Sequence, residues 1–237
     1  MTNASKSESV ARKVRQKVLR SEGRFWHVDD FDWSPTAVWD ALGRLADDGE
    51  LTHVRRGTYW RGRKARWGRS PAPAIAAVRE VVGDKEALGA AGWMAANAVG
   101  LSTQVVPTPI VSVTRRLPTG FDNIRLVSRA QRTGRRDARL SEAEVTLLEA
   151  LGDWHRYTEV PPEVAVDRLL AYMHDTQADP RRLVRASATE PVTVRERLKA
   201  LLSRDGLEDE AARIEGARSE SARDKALEVF HRQPLAV

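Results

Sequence analysis

Residues 34–62 place hydrogen-bonding and cationic side chains at spacings that suit contact with duplex DNA. Thr36, Asp40 and Arg44 recur every four residues, with Trp39 beside them, so they share one face of a predicted helix. Arginine can bind a guanine edge or a phosphate, and aspartate can accept from cytosine. The predicted DNA-binding set adds the start of this helix and the basic segment after it: Ser34, Arg55, Arg56, Thr58, Tyr59, Arg61, Arg63 and Lys64.

Local signals indicate which elements carry these residues. Ser34-Pro35 is a typical helix start, since serine caps a free N–H and proline has none to lose. Gly49 is expected to end the helix in a left-handed conformation. The segment LTHVRRGTYW then has two β-prone runs around Gly57, which predicts a hairpin. The inner face of the helix is predicted to consist of Val38, Ala41, Leu42 and Leu45.

A basic helix is predicted before this region, over residues 5–21, with Val10, Val14 and Val18 on its apolar face. The aromatic stretch after it is expected to hold a short strand and a second helix. Helix, strand, helix, helix and hairpin form the order of a winged helix-turn-helix. The predicted fold is therefore α+β and mostly helical. A winged helix-turn-helix spans residues 1–66, and a larger mixed α/β domain spans residues 67–237.

Four of these assignments have structural alternatives. Trp39 can pack against the hairpin instead of touching DNA, and one of Tyr59 and Trp60 is expected in the core because they alternate on a strand. Asp40 can pair with Arg44 along the helix. Five of the seven tryptophans precede residue 70, and packing in a small core explains them better than stacking on bases.

Positive charge is concentrated in two places. Residues 1–70 hold 15 basic and 9 acidic residues. Their net charge of +6 equals that of the whole chain. Residues 51–69 hold seven basic residues and no acid, and residues 115–139 hold eight arginines against two aspartates. Local excess of this kind is what neutralisation of phosphates requires.

The rest of the chain indicates further elements. Residues 61–73, rich in Gly, Pro and Arg, suggest a linker. Helices are predicted in AIAAVREVV and in the Ala-rich GAAGWMAANAVG, strands in IVSVTRR and NIRLVSR, and a basic loop over residues 132–139. From Leu140 the chain is predicted to be mostly helical. Ser141 and Glu144 have the spacing of a capping box.

Several function classes find no support in the sequence. There are no cysteines, no apolar run of about 18 residues, and no apolar stretch typical of a signal peptide near the N-terminus. Walker, GxSxG and HExxH motifs are absent, and the five histidines are scattered. We therefore expect a cytoplasmic protein that is not an enzyme, has no cofactor or metal site and does not insert into a membrane.

The motifs RGTYWRG and ALGAAGWMAANAVGLSTQ, followed by a strand, resemble the AbiEi antitoxin family of bacterial toxin–antitoxin operons over roughly residues 10–135. The resemblance implies a transcriptional autorepressor that binds repeats in its own promoter as double-stranded DNA, with a homodimer as the usual geometry. It also implies an antitoxin that counters a nucleotidyltransferase-like toxin, often without a stable complex. A second positive surface is expected from arginines of the C-terminal domain: Arg115, Arg116, Arg125, Arg129, Arg132, Arg135 and Arg136.

Beyond residue 140 no motif supports the antitoxin activity. The alternative is a stand-alone transcriptional regulator, or an interaction protein whose C-terminal domain binds protein or RNA. A toxin-like reading frame next to the gene would favour the operon.

Overall fold

The computed structural model describes residues 3–105 and 107–230, and it is a mixed α+β structure in which helices dominate. The described residues divide into two compact units. Unit 1 holds those up to Val81 together with Thr119–Asn123, and unit 2 holds the others. The boundary predicted between residues 66 and 67 therefore falls inside unit 1.

Unit 1 begins with a helix and a strand, continues through a helix and a hairpin, and ends with a second small hairpin and a helix. Its three larger strands form an antiparallel sheet in the order β1-β3-β2. The elements are α1 (Asn3–Leu19), β1 (Arg24–His27), a 3-10 turn (Val28–Asp30), α2 (Pro35–Asp47), β2 (Thr52–Arg55), β3 (Thr58–Arg61), β4 (Lys64–Ala65), β5 (Gly68–Arg69) and α3 (Ala74–Val82).

The core of unit 1 lies where α1 and α2 pack on each other and on Trp26 and Tyr59 of the sheet. Val14 and Val18 of α1 are fully buried, as the helical spacing predicted. The predicted inner face of α2 is buried as well. The expected helix after β1 is only the 3-10 turn.

The segment predicted as a linker is folded onto the sheet, so that prediction was wrong. The indole Nε1 of Trp60 donates to the Ser70 carbonyl at 2.9 Å, and Arg69 Nη1 donates to the Gly62 carbonyl at 3.1 Å. A Cβ on Gly62 would lie 2.0 Å from the Ser70 oxygen, so only glycine allows this approach. The contacts of Gly62 and Arg69 therefore help to close a tight β4–β5 hairpin.

Unit 2 combines one three-stranded sheet with a set of helices. In the sheet order β6-β7-β8, β6 pairs antiparallel with β7, and β7 pairs parallel with β8. The elements are β6 (Leu88–Ala90), α4 (Gly92–Ala98), β7 (Ile110–Val113), β8 (Arg125–Ser128), α5 (Gly134–Asp137), α6 (Glu142–Tyr157), α7 (Pro162–Asp175), α8 (Pro180–Ser187), α9 (Val192–Arg204), α10 (Glu208–Ala212), α11 (Glu220–Leu227) and a 3-10 turn (Glu228–Phe230).

The predicted strands β7 and β8 and the mainly helical region after Leu140 are confirmed. The capping box is present, with Ser141 N donating to Glu144 at 2.7 Å. The Ala-rich segment differs, because it starts as strand β6 and becomes helical only at Gly92. A Cβ on Gly89 would lie 2.6 Å from the Val145 side chain, so this strand runs directly against the backbone of α6.

Within the described part of the chain, no helix has both the length and the apolar character needed to cross a bilayer.

Candidate nucleic-acid interface

The outer face of α2 presents polar side chains that have no partner among the described residues. Thr36, Asp40 and Arg44 are exposed, and none of them makes a side-chain hydrogen bond or an ion pair with another described residue. The suggested Asp40–Arg44 pair is therefore not formed. Ser34 precedes α2, but its side chain does not cap the helix, so the predicted capping bond was wrong. Pro35 at the first turn still defines the helix start.

Trp39 joins this face to the β2–β3 turn. Its ring lies 3.6 Å from the position of a Cβ on Gly57, and the Arg56 guanidinium lies 5.8 Å from the ring centroid. The side chain packs on the hairpin, as the structural alternative proposed, and it remains 39% exposed. Gly57 adopts φ +77, which allows the tight turn. Trp39 thus supports Arg56 beside the helix. The α2–hairpin surface is our name for the exposed residues Thr36, Trp39, Asp40, Arg44 and Arg56 together with the half-buried Arg55.

Arg55 is half-buried, whereas Arg56 is exposed. The Arg55 guanidinium lies 5.9 Å from the ring centroid of Phe121, in the segment that belongs to unit 1. On the same strand, His53 Nδ1 lies 2.9 Å from an Asp122 oxygen. Neither Arg55 nor Arg56 forms an ion pair with a carboxylate in the described part of the structure. Both charges are therefore available to an external anion.

Three residues predicted to touch DNA are buried, and their assignment is corrected. Thr58 is 6%, Tyr59 3% and Arg61 4% exposed. Both Tyr59 and Trp60 are buried, not one of the two, because both faces of β3 are covered. Burial raises the pKa of Tyr59, and the charge of Asp47 adds to this effect.

Arg61 serves the fold through Glu50. Its Nη1 donates to a Glu50 carboxylate oxygen at 2.5 Å and to the Glu50 carbonyl at 2.7 Å. Arg69 Nη2 donates to the same carboxylate oxygen at 2.5 Å. The hydrogen bond from Arg61 leads the effects that lower the pKa of Glu50, against its partial burial. These two arginines therefore hold the two hairpins together and leave little charge for a ligand.

The β4–β5 hairpin contains a residue that sequence reasoning missed. Trp67 is 89% exposed at its tip, with the Arg66 guanidinium 4.9 Å from the ring centroid. Arg63 and Lys64 are exposed, consistent with the role predicted for them. An exposed tryptophan on a cationic hairpin can stack on a base or enter a groove. Recognising RKARWGR as a hairpin around Gly68 instead of a linker would have identified it.

The other tryptophans of unit 1 agree mainly with the packing interpretation. Trp26 and Trp60 are buried, and Trp33 is half-buried against Phe31 at a centroid distance of 5.8 Å. Only Trp39 and Trp67 present large exposed areas among the described aromatic residues.

A groove of about 820 Å³ borders the α2–hairpin surface, and the carboxylates in its wall reduce the positive charge there. Thr36, Trp39 and Arg56 line one part, and the 3-10 turn lines another with Asp29 and Asp30. Carboxylates repel phosphate, so the Arg56 part of the groove can accept an anion and the part beside the 3-10 turn disfavours one. At the edge of the groove, His27 Nε2 lies 3.2 Å from a Glu80 oxygen.

The second basic surface predicted in unit 2 is only partly a surface, which corrects that expectation. Arg115, Arg116 and Arg125 are exposed, and Arg136 is exposed with Nε 3.5 Å from Asp137. The other three predicted members surround two buried carboxylates. They are Arg129, Arg132 and Arg135, and the last is fully buried.

The GLSTQ segment, which carried the family resemblance, has a structural role. Glu159 follows α6 and accepts hydrogen bonds from the Ser102 hydroxyl at 2.8 Å and from Thr103 N at 3.2 Å, and Gln104 also donates to it. The Ser102 bond leads the effects that lower the pKa of this exposed carboxyl. The motif therefore ties the loop after α4 to the end of α6.

No group of three or more metal-ligating side chains occurs among the described residues.

Comparison with known proteins leaves the chain without a family assignment. No protein-family model matches it, and no curated protein is similar to it. The chain is similar to the crystal structure of the RV2827C protein from Mycobacterium tuberculosis, with a TM-score of 0.48 and 17% identity. The similar region covers 89% of this chain and 80% of that one.

Proposed function

We propose that unit 1 is a winged helix-turn-helix that binds double-stranded DNA, with α2 as the recognition helix and the β2–β3 hairpin as the wing. The observation that carries the proposal is the contrast among its arginines. Arg44, Arg55 and Arg56 have no carboxylate partner among the described residues, whereas Arg61 and Arg69 are paired with Glu50. Unpaired arginines around one helix suit phosphate and base contacts.

Dimensions and local charge support the same proposal. An α-helix with its side chains is about 10–12 Å across, which fits the major groove of about 12 Å width. The 13 residues of α2 give it a length of about 20 Å along the groove. The segment from β2 through β5 carries no acid over residues 51–69. Trp67 on the second hairpin offers a further contact next to the wing.

In the cell, we propose a cytoplasmic transcriptional autorepressor that binds promoter repeats as a homodimer and acts as the antitoxin to a nucleotidyltransferase-like toxin. This wider role rests on the resemblance of RGTYWRG and GLSTQ to the AbiEi family. The alternative role, that of a stand-alone regulator, requires only the DNA binding proposed for unit 1.

The wing is tested by replacing Arg55 and Arg56 together with alanine. We expect weaker binding to every duplex, and a slope of log affinity against log salt that is shallower by about 1.8, since each phosphate contact contributes about 0.9. Fluorescence anisotropy with a labelled promoter fragment over a salt series measures both quantities.

The matched control replaces Arg204 and Arg213 of unit 2, which are exposed and lie outside the α2–hairpin surface. It removes the same charge and should leave the slope unchanged. An unaltered slope in the wing variant would reject the wing assignment.

The recognition helix is tested by Arg44→Ala. We expect a loss of about 1–3 kcal/mol in discrimination between the promoter and a random duplex, because Arg44 lies on the exposed face of the proposed recognition helix and is proposed to contact a base edge. Competition binding with both duplexes measures the ratio of affinities, with Arg204→Ala as the control. Equal losses on the two duplexes would assign Arg44 to phosphate contact and remove α2 as the reading element.

A further inference from the structure

A pocket in unit 2 lies between the end of β8 and the connection from α8 to α9. Its volume is about 590 Å³, within the range of small-molecule sites. Polar side chains form most of its wall: Ser128, Arg129, Gln131, Arg132, Thr189 and Glu190. The proposed DNA-binding surface contributes none of these residues.

Two arginines at the pocket are neutralised, Arg129 in its wall and Arg135 behind it. Arg129 forms a forked pair with Glu149, with Nε at 2.9 Å and Nη2 at 2.7 Å. Arg135 forms a second forked pair with Glu190, at 2.5 and 2.9 Å, and also donates to Glu149 at 2.5 Å. Two carboxylates thus satisfy two guanidinium groups with short bonds.

Arg132 is the third cation, and it shares both carboxylates with the other two arginines. Its Nη1 donates to an oxygen of Glu149 at 3.3 Å and lies 3.3 Å from an oxygen of Glu190, longer than the contacts made by Arg129 and Arg135. Burial lowers the pKa of Arg132, and the charge of Arg135 lowers it further, in spite of both glutamates. The charge of a third acid, Asp153, attracts Arg129, but it attracts the buried Arg197 as well.

The wall of the pocket therefore carries one positive charge in excess. This charge is on Arg132, whose side chain is 16% exposed, so it is accessible from the pocket but only weakly hydrated. Gln131 is exposed beside it and makes no hydrogen bond with another described side chain, which leaves an amide donor free.

We propose that this pocket binds the phosphate group of a small phosphate ester such as a nucleotide, with Arg132 as its principal ligand and Gln131 as a second donor. Guanidinium matches phosphate oxygens with paired N–H groups, and a partly desolvated guanidinium binds them more strongly than an exposed one. The volume exceeds that of a phosphate alone and leaves space for the organic part. The site gives unit 2 a ligand independent of DNA.

The test is isothermal titration of the full-length protein with inorganic phosphate, AMP and ATP at constant ionic strength, with sodium acetate as the control anion. We expect saturable binding of phosphate-bearing ligands, weakened about tenfold or more by Arg132→Gln, since a charge-assisted hydrogen bond is lost. Arg181→Gln, an exposed arginine of α8, should bind as the wild type does. Tighter binding of nucleotides than of phosphate would identify the ester as the ligand, and equal affinities would identify the phosphate group alone.

Thermal unfolding separates this role from a structural one. Arg132→Gln removes the repulsion from Arg135 together with the 3.3 Å contacts to Glu149 and Glu190, so the two effects oppose each other. The ligand-free variant should therefore melt close to the wild type, while phosphate no longer raises its Tm. A clearly lower Tm would mean that Arg132 is a structural partner and would overturn the proposal. Absence of saturation by any phosphate-bearing ligand, or equal binding of acetate, would overturn it as well.

Discussion

Replacing Glu149 with glutamine is expected to lower the free energy of unfolding of unit 2 by about 3–5 kcal/mol, the cost of breaking a buried ion pair. Glu149 is 1% exposed and accepts hydrogen bonds from Arg129, Arg132 and Arg135. A neutral amide would leave these guanidinium groups with a single carboxylate, Glu190. Urea denaturation followed by circular dichroism measures the change, and Glu163→Gln, on the exposed side of α7, is the control.

The same carboxyl gives this prediction a pH signature. Burial alone would raise the pKa of Glu149, but the hydrogen bond from Arg129 and the charges of the arginines lower it from 4.5 to about 2. A lowered pKa contributes stability above the unfolded value, and that stability is lost as pH falls from about 4.5 towards 2. Glu149→Gln should therefore show a weaker loss of stability over this interval. An identical acid dependence in the two proteins would contradict the assigned role of Glu149.

Arg61→Ala is expected to destabilise unit 1 by about 2–3 kcal/mol. This lies below the usual cost for a buried pair because Glu50 is partly exposed and retains Arg69. The variant removes a 2.5 Å ion pair and the bond to the Glu50 carbonyl, so both the β2–β3 hairpin and its link to β5 lose support. Thermal unfolding monitored by tryptophan fluorescence measures the effect, since Trp26 and Trp60 are buried in the affected unit.

Arg63→Ala is the matched control, because it removes an exposed arginine two residues further along the chain. It should leave the Tm nearly unchanged. If Arg61→Ala were as stable as Arg63→Ala, then the Arg61–Glu50 pair would not hold the sheet, and a role for Arg61 at the surface would have to be reconsidered.

Local features of unit 1 were predictable because short-range physics determines them. The apolar spacing of α2 follows from 3.6 residues per turn, and Gly49 and Gly57 adopt the positive φ angles that their turns require. Residues 61–73 were wrongly predicted to be a linker, because Gly, Pro and Arg are typical of linkers. Whether such a segment folds back depends on partners such as Ser70 and Trp60, which composition does not indicate.

The same distinction between local and long-range features applies to the candidate site. Periodicity correctly predicted that Thr36, Asp40 and Arg44 lie opposite the core, since helix geometry alone determines that relation. It also predicted that one of Tyr59 and Trp60 lies in the core, because the two residues alternate on β3. Both are buried, because unit 1 covers both faces of this strand.

By itself, the sequence determined the mixed α+β class, the strands β7 and β8, the capping box of α6 and the concentration of positive charge before residue 70. These depend on backbone preference, on periodicity or on simple counts. Only the tertiary structure decided which arginines are free to bind an external anion and which form ion pairs inside the protein. Arg135 and Glu190 are separated by 55 positions and meet through the packing of α5 on α8, so their pairing depends on contacts that no local pattern encodes.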